Sequence, residues 1–198
     1  METPHTGAKP VLLAAFALQE EMVPVTLPGF DVIPVLTRIT KPYAAATLAR
    51  AIADYHPVGI INIGTAGTQQ HHIGDILVST RFIDRDIRRQ QFTSVASELR
   101  TKSPLPYALP SFLEGVRTDG DYVVNTGDDF VTAADPVEGD VIDMEGFADA
   151  VVADAFGLPF VAVKYVTDVV GQNSMEAWES KLADAREALT EYFAALAE

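Results

Sequence analysis

From Asp140 to Asp168 the chain reads as an acidic loop, a helix, a glycine stop, a buried strand and a polar pair. That order leaves few folds open. Phe147, Val151 and Ala155 recur at helical spacing, with Ala148 and Val152 beside them. Gly157 is a natural helix stop, and Pro159 cannot continue a helix. Phe160 to Val166 is apolar and β-branched, broken only by Lys164, which is the pattern of an interior strand. Glu145 therefore falls at the start of a helix and Asp168 at the end of the next strand. Ligands of open α/β sheets sit outside the carboxyl ends of strands. Two carboxylates far apart in sequence can thus converge on one crevice.

The rest of the chain supplies matching elements. Val11 to Leu18 reads as a first buried strand and runs into Gln19-Glu20-Glu21-Met22. Asp31 to Leu36 is a second strand. Ala44, Leu48, Ile52 and Tyr55 fit an amphipathic helix that Pro57 ends. Val58 to Ile63 is a third strand, followed by Gly64-Thr65-Ala66-Gly67, read as a tight turn whose backbone N–H groups face a ligand. Gln90 to Pro110 is polar and proline-rich, the composition of a loop or short helix over a site, able to serve as a lid. Trp178, Leu182, Ala185, Leu189, Phe193 and Leu196 form the apolar stripe of a last helix, with Asn173 as its cap and Glu176 at the reciprocal position. That stripe reads as core.

Composition narrows the function classes. The formal net charge of −14 argues against nucleic-acid binding, which needs a basic face, and against anionic membranes. Without cysteine there is no disulfide, thiolate catalysis or Cys-ligated zinc. Adjacent His71 and His72 on an extended loop point apart, which argues against a metal site. The longest apolar run is too short to span a bilayer, and the N-terminus lacks a signal pattern, so a cytoplasmic protein is expected.

Asp143-Met144-Glu145 followed by Thr167-Asp168 resembles the purine nucleoside phosphorylase and nucleosidase superfamily, most closely its methylthioadenosine/S-adenosylhomocysteine nucleosidases. Gly64-Thr65-Ala66-Gly67, Gly74-Asp75-Ile76-Leu77 and Gly127-Asp128-Asp129-Phe130-Val131 follow the family's order as well. The resemblance implies an α/β fold: a single domain over residues 1–198, a central mixed twisted β-sheet flanked by helices, and a flexible start over residues 1–9. It implies hydrolysis of a purine nucleoside's N-glycosidic bond. Glu21 would activate the attacking water, with Glu20 as the alternative, and Asp168 would protonate the purine. Glu145 would hold the ribose hydroxyls, Met144 would pack on the sugar, and Phe130 would stack on the base while the Val131 backbone reads its edge. Thr65, Gly67, Asp143 and Thr167 would complete the substrate site. Neither a metal nor an organic cofactor is required, and at least a homodimer is expected.

Asn62 sets this chain apart from the phosphorylases, and the Phe82–Asp86 segment sets it apart from the usual methylthioadenosine nucleosidases. Bacterial phosphorylases of the superfamily place an arginine two residues before the first glycine of the Gly64 motif, where it grips phosphate; here that residue is Asn62. A phosphate site without its guanidinium loses charge-assisted, bidentate bonds. Water is therefore favoured over phosphate, with phosphorolysis and non-catalytic nucleoside binding as the alternatives. Phe82-Ile83-Asp84-Arg85-Asp86 stands where methylthioadenosine nucleosidases commonly have Tyr-His-Asp-Ala-Asp. An Arg85 facing the pocket would favour a polar or anionic 5′ group; an Arg85 paired with Asp84 or Asp86 would be structural.

Overall fold

Strand β3 (Gly59–Thr68) is the axis of the sheet. Its first half runs parallel to β1 (Val11–Phe16), which pairs outward with β2 (Asp31–Leu36). Its last two residues pair on the same side with β9 (Val141–Asp143), antiparallel. Along its other side runs β10 (Phe160–Val169), parallel. Beyond β10 lie β4 (Ile76–Ser79), antiparallel, and β7 (Val116–Arg117). Beyond β9 come β8 (Val123–Thr126), β5 (Arg81–Asp84) and β6 (Glu98–Arg100). The result is one mixed ten-stranded sheet in a single α/β domain. This computed structural model describes residues 8–91, 94–105, 116–117, 121–132, 136–172 and 174–197.

Both faces of the central strands are covered, which is why they read as unbroken apolar runs. Leu13, Ala15, Ile60, Phe160 and Ala162 pack against α1 (Lys41–Tyr55) and α3 (Gly146–Ala155), meeting Leu48, Ile52, Phe147, Ala150 and Ala153. The alternate residues Leu12, Ala14, Phe16, Ile61, Ile63, Val161 and Val163 face α4 (Ser174–Ala195), meeting Ala185, Leu189 and Phe193. The short helix α2 (Arg85–Gln90) follows β5 directly, with the Asp84 side chain accepting from the N–H groups of Asp86 and Ile87.

The elements agree with the sequence in most places and differ in four details, one being that Val141–Asp143, read as part of an acidic loop, forms strand β9. Gly64 to Gly67 is not a turn: β3 continues through it to Thr68. The buried stripe of α3 is Phe147, Ala150 and Ala153, whereas Val151 and Ala155 are exposed. The described residues 94–105 do not cover the crevice. Glu98–Arg100 adds an edge strand to β5, and Pro104 packs against Gly59 at the opening residue of β3. Residues 92–93 and 106–110 of that segment, and the expected cap Asn173, lie outside the described residues.

The register of α3 is open to a stability test. Ala150 is fully buried, so Ala150→Leu should cost about 1–3 kcal/mol by overpacking. Val151 is 44% exposed, so Val151→Ala should stay within about 0.5 kcal/mol of the parent in urea denaturation.

Candidate active site

At the carboxyl end of β3 and β10 lies a cavity of about 290 Å³. Ten of the expected site residues are Glu21, Thr65, Gly67, Phe130, Val131, Asp143, Met144, Glu145, Thr167 and Asp168, and all except Thr167 line it. Ala17, Leu18, Ile39, Ala66, Asp129, Ile142, Val170, Met175 and Trp178 complete the wall. Glu20 is exposed on the same short 3-10 turn that buries Glu21, so the geometry selects Glu21 of the two.

The two glycines of β3 make room for two carboxylates. A Cβ on Gly64 would lie 3.2 Å from Glu21 Oε1. A Cβ on Gly67 would lie 3.0 Å from Asp168 Oδ2 and 3.1 Å from Val170 Cγ2. Neither glycine has positive φ, so what they supply here is space rather than a turn. Glu21 Oε1 accepts both the N–H of Thr65 at 2.9 Å and its hydroxyl at 2.6 Å, and Oε2 accepts the Leu18 N–H at 3.3 Å. Thr65 thus spends its backbone donor on Glu21. Asp168 is placed by a bulge: the β3–β10 register shifts between Val166 and Asp168, leaving Thr167 as the extra residue. Thr167 is fully buried behind the wall, and its hydroxyl lies 2.9 Å from Asp168 Oδ1.

Glu145 is buried where α3 begins, and its Oε1 accepts the Thr40 N–H at 3.0 Å. Thr40 holds φ +82° and ψ 148°, a region that a β-branched residue adopts only when its surroundings enforce it. Lys41 supplies that constraint: its N–H donates to Asp128, and its ammonium lies 3.0 Å from Asp84 and 2.7 Å from Asp86. Asp143 is turned to protein donors. Its Oδ1 accepts from the Thr126 hydroxyl at 2.6 Å, and its Oδ2 accepts from the Gly146 N–H at 2.9 Å and the Lys164 ammonium at 2.8 Å. Phe130 meets Trp178 edge to face, ring centroids 6.3 Å apart.

Lys164, only an interruption of a strand in the sequence, is the cation of the site. It is 2% exposed. Burial pulls its pKa down, but the charges of Asp143, Glu145 and Glu21 outweigh that and leave it raised. Burial raises the Glu21 pKa against the opposing bonds from Thr65 and the charge of Lys164. Burial, with the charge of Asp143 added, pushes Glu145 up to about 8. A lone lysine inside a buried strand needs a partner carboxylate, and that is the signal by which it could have been found. Trp178, assigned to the core stripe, is among the wall residues that the pattern missed.

Arg85 is not in the cavity wall. It is buried, with Nη1 on Asn125 Oδ1 at 2.7 Å and Nη2 on Asp129 Oδ1 at 2.8 Å and on the Asp129 carbonyl at 2.8 Å. It is held by protein partners, but these are not the expected Asp84 and Asp86, which Lys41 holds. The guanidinium crosses over Gly127, where a Cβ would lie 2.5 Å from Nη2, and so braces the segment that carries Phe130. Among the described residues, no group of three His, Asp or Glu is arranged to hold a metal ion. His71 pairs instead with Asp140 at 2.9 Å.

Residues 17–198 match the family model of the phosphorylase superfamily. The chain belongs to that superfamily. Similar curated members include the 5′-methylthioadenosine/S-adenosylhomocysteine nucleosidases of Shewanella sp. (strain MR-7) and Anoxybacillus flavithermus. The first is 27% identical over 83% of this chain and 78% of its own length. The second is 26% identical over 81% and 77%. The fold is shared with the Helicobacter pylori 5′-methylthioadenosine/S-adenosylhomocysteine nucleosidase (TM-score 0.77, 17% identity, 96% of this chain and 98% of that one). It is shared equally with the futalosine hydrolase of the same organism (TM-score 0.78, 15% identity, 94% and 97%).

Asn62, the residue read in the sequence as favouring water over phosphate, bonds to α3 and does not line the cavity. It is buried, and its Nδ2 donates to Asp149 Oδ2 at 2.9 Å. Burial pushes Asp149 up to about 7, against the Asn62 bond and the charge of Lys164 and helped by that of Asp143. Oδ1 of Asn62 and Oδ1 of Asp149 are both buried without a partner, and a proton on Asp149 supplies the donor the pair lacks. A carboxyl whose pKa is raised in the folded state stabilises the fold below the unfolded value, here 3.8, and loses that contribution as pH rises through about 7. Wild type should therefore lose roughly 4 kcal/mol relative to Asp149→Asn between pH 4 and pH 8. Denaturant midpoints measured across that range check it, and parallel pH profiles for the two proteins would contradict it.

Proposed function

We propose that this chain hydrolyses the N-glycosidic bond of a purine nucleoside of the methylthioadenosine or S-adenosylhomocysteine type, giving free base and free sugar. One observation carries the choice of water over phosphate. Five carboxylate residues, Glu21, Asp129, Asp143, Glu145 and Asp168, line the cavity, and no lysine or arginine among the described residues does. Such a wall offers an anionic nucleophile no cation to bind. It also disfavours an anionic 5′ group, now that Arg85 is bonded to Asp129 and Asn125. It suits a neutral nucleoside whose sugar turns cationic as the bond breaks. The apolar side chains of Ile39, Met144, Val170, Met175 and Trp178 suit a thioether substituent.

In this reading the purine lies against Phe130 and Val131, and Asp168 gives a proton to a ring nitrogen as the C1′–N bond breaks. The bonding electrons pass to the base. Glu21 orients water on C1′ and takes its proton as the new C–O bond forms. Glu145, held by Thr40, binds the ribose hydroxyls, and Met144 packs on the sugar. A single domain over residues 1–198 and a cytoplasmic homodimer belong to the same proposal. The acidic, cysteine-free composition supports the location. The exposed side chains of Leu36, Tyr43 and Ile39, the last of them in the cavity wall, support pairing of two copies.

Incubation with methylthioadenosine, with and without phosphate, tests the reaction. Adenine and free methylthioribose should appear at one rate in both, and a sugar 1-phosphate would overturn hydrolysis. Asp168→Asn should lower kcat by about 10² or more while nucleoside binding persists. Near-parent turnover in that variant would remove Asp168 from the chemistry.

A further inference from the structure

Trp178 Nε1 donates to Thr65 Oγ1 at 2.9 Å, and the same Thr65 hydroxyl donates to Glu21 Oε1 at 2.6 Å. An indole N–H can only donate, and an ionised carboxylate can only accept. Thr65 Oγ1 has a single hydrogen. With the indole bonded to one of its lone pairs, that hydrogen is directed at Glu21. The chain from indole to hydroxyl to carboxylate has one polarity, and each bond in such a chain strengthens the next. Glu21 Oε1 then carries two donors, both from Thr65, while Oε2 carries only the longer bond from Leu18. Oε2 is the oxygen with capacity left for a water.

We propose that Trp178 is a positioning residue for this reaction: acting through the Thr65 hydroxyl, it orients Glu21 and holds it ready as the base. The proposal rests on the nucleosidase reading for the role of Glu21. It links α4 to the chemistry, because Trp178 also meets Phe130 edge to face and forms part of the cavity wall with Met175. One aromatic residue thus touches both the surface assigned to the base and the hydrogen bonds that set the water's partner.

Loss of the indole donor weakens the bond from Thr65 and makes the Glu21 carboxylate harder to ionise. Trp178→Phe keeps an aromatic ring and removes the N–H. It should move the acidic limb of kcat/KM upward by roughly half a pH unit and lower kcat roughly three- to tenfold. Carbon-13 titration of the Glu21 carboxyl should show the same upward shift, which makes the test independent of turnover. In a Thr65→Val background, Trp178→Phe should leave that titration unmoved, because the link is already cut. Trp178 is the one tryptophan of the chain, so biosynthetic replacement of tryptophan by its benzothiophene isostere removes this N–H alone and keeps the shape. The isostere should reproduce the shift seen with Trp178→Phe. A Glu21 titration unchanged by the isostere, or a shift of equal size in the Thr65→Val background, overturns the proposal. A wild-type protein that cleaves no nucleoside would instead sink the reaction reading, and the Glu21 titration would still decide the link from Trp178.

Discussion

Glu21 and Asp168 come from different parts of the chain and are packed against the same strand at two positions where no side chain stands in the way. The site depends on that close approach. Gly64 and Gly67 on β3 let one carboxylate in from the 3-10 turn after β1 and another from the end of β10. Any larger residue at either place would have to displace a carboxylate by several tenths of an ångström or more. The bulge at Thr167 belongs to the same arrangement, since it sets Asp168 beside Gly67 where an unbroken register would set it beside Thr68. Because β3 also pairs with β1, β9 and β10, the strand that positions the chemistry is the strand the core is built on.

Bringing acids this close has an electrostatic cost, and Lys164 offsets part of it. Its place follows from strand alternation: Phe160, Ala162 and Val166 face α3, and Lys164 falls between them on the same face. It reaches Asp143, which in turn holds the start of α3 through Gly146 and the β8 end through Thr126. One ammonium does not balance Glu21, Asp143 and Glu145 together, and burial, with the charge of Asp143 added, leaves the Glu145 pKa raised. The carboxyl groups that line the cavity are what a cationic sugar would meet during bond cleavage.

The sequence was most informative where one local pattern settles the structure. The C-terminal ends of α1 and α3 follow from Pro57 and Gly157, β2 from its short apolar run, and Glu21, Glu145 and Asp168 stand at element ends where an α/β sheet collects its ligand groups. It was least informative where a residue answers to a distant neighbour. Gly64 and Gly67 suggest a turn locally, but their reason is carboxylates some forty and a hundred residues away in the chain. Arg85 has acids on either side of it, yet bonds to Asp129, because Lys41 from α1 already occupies Asp84 and Asp86. The stripe of α3 slipped from Ala150 to Val151 because alanine is a weak marker of burial in a helix with apolar residues on most sides.

The most direct measurement is a crystal structure of the protein with a non-hydrolysable purine nucleoside analogue. The account predicts a purine ring nitrogen within hydrogen-bond distance of Asp168, ribose hydroxyls on Glu145, and a water held by Glu21 facing the anomeric carbon. A ligand bound with its sugar away from Glu145, or with its base out of reach of Asp168, would contradict it.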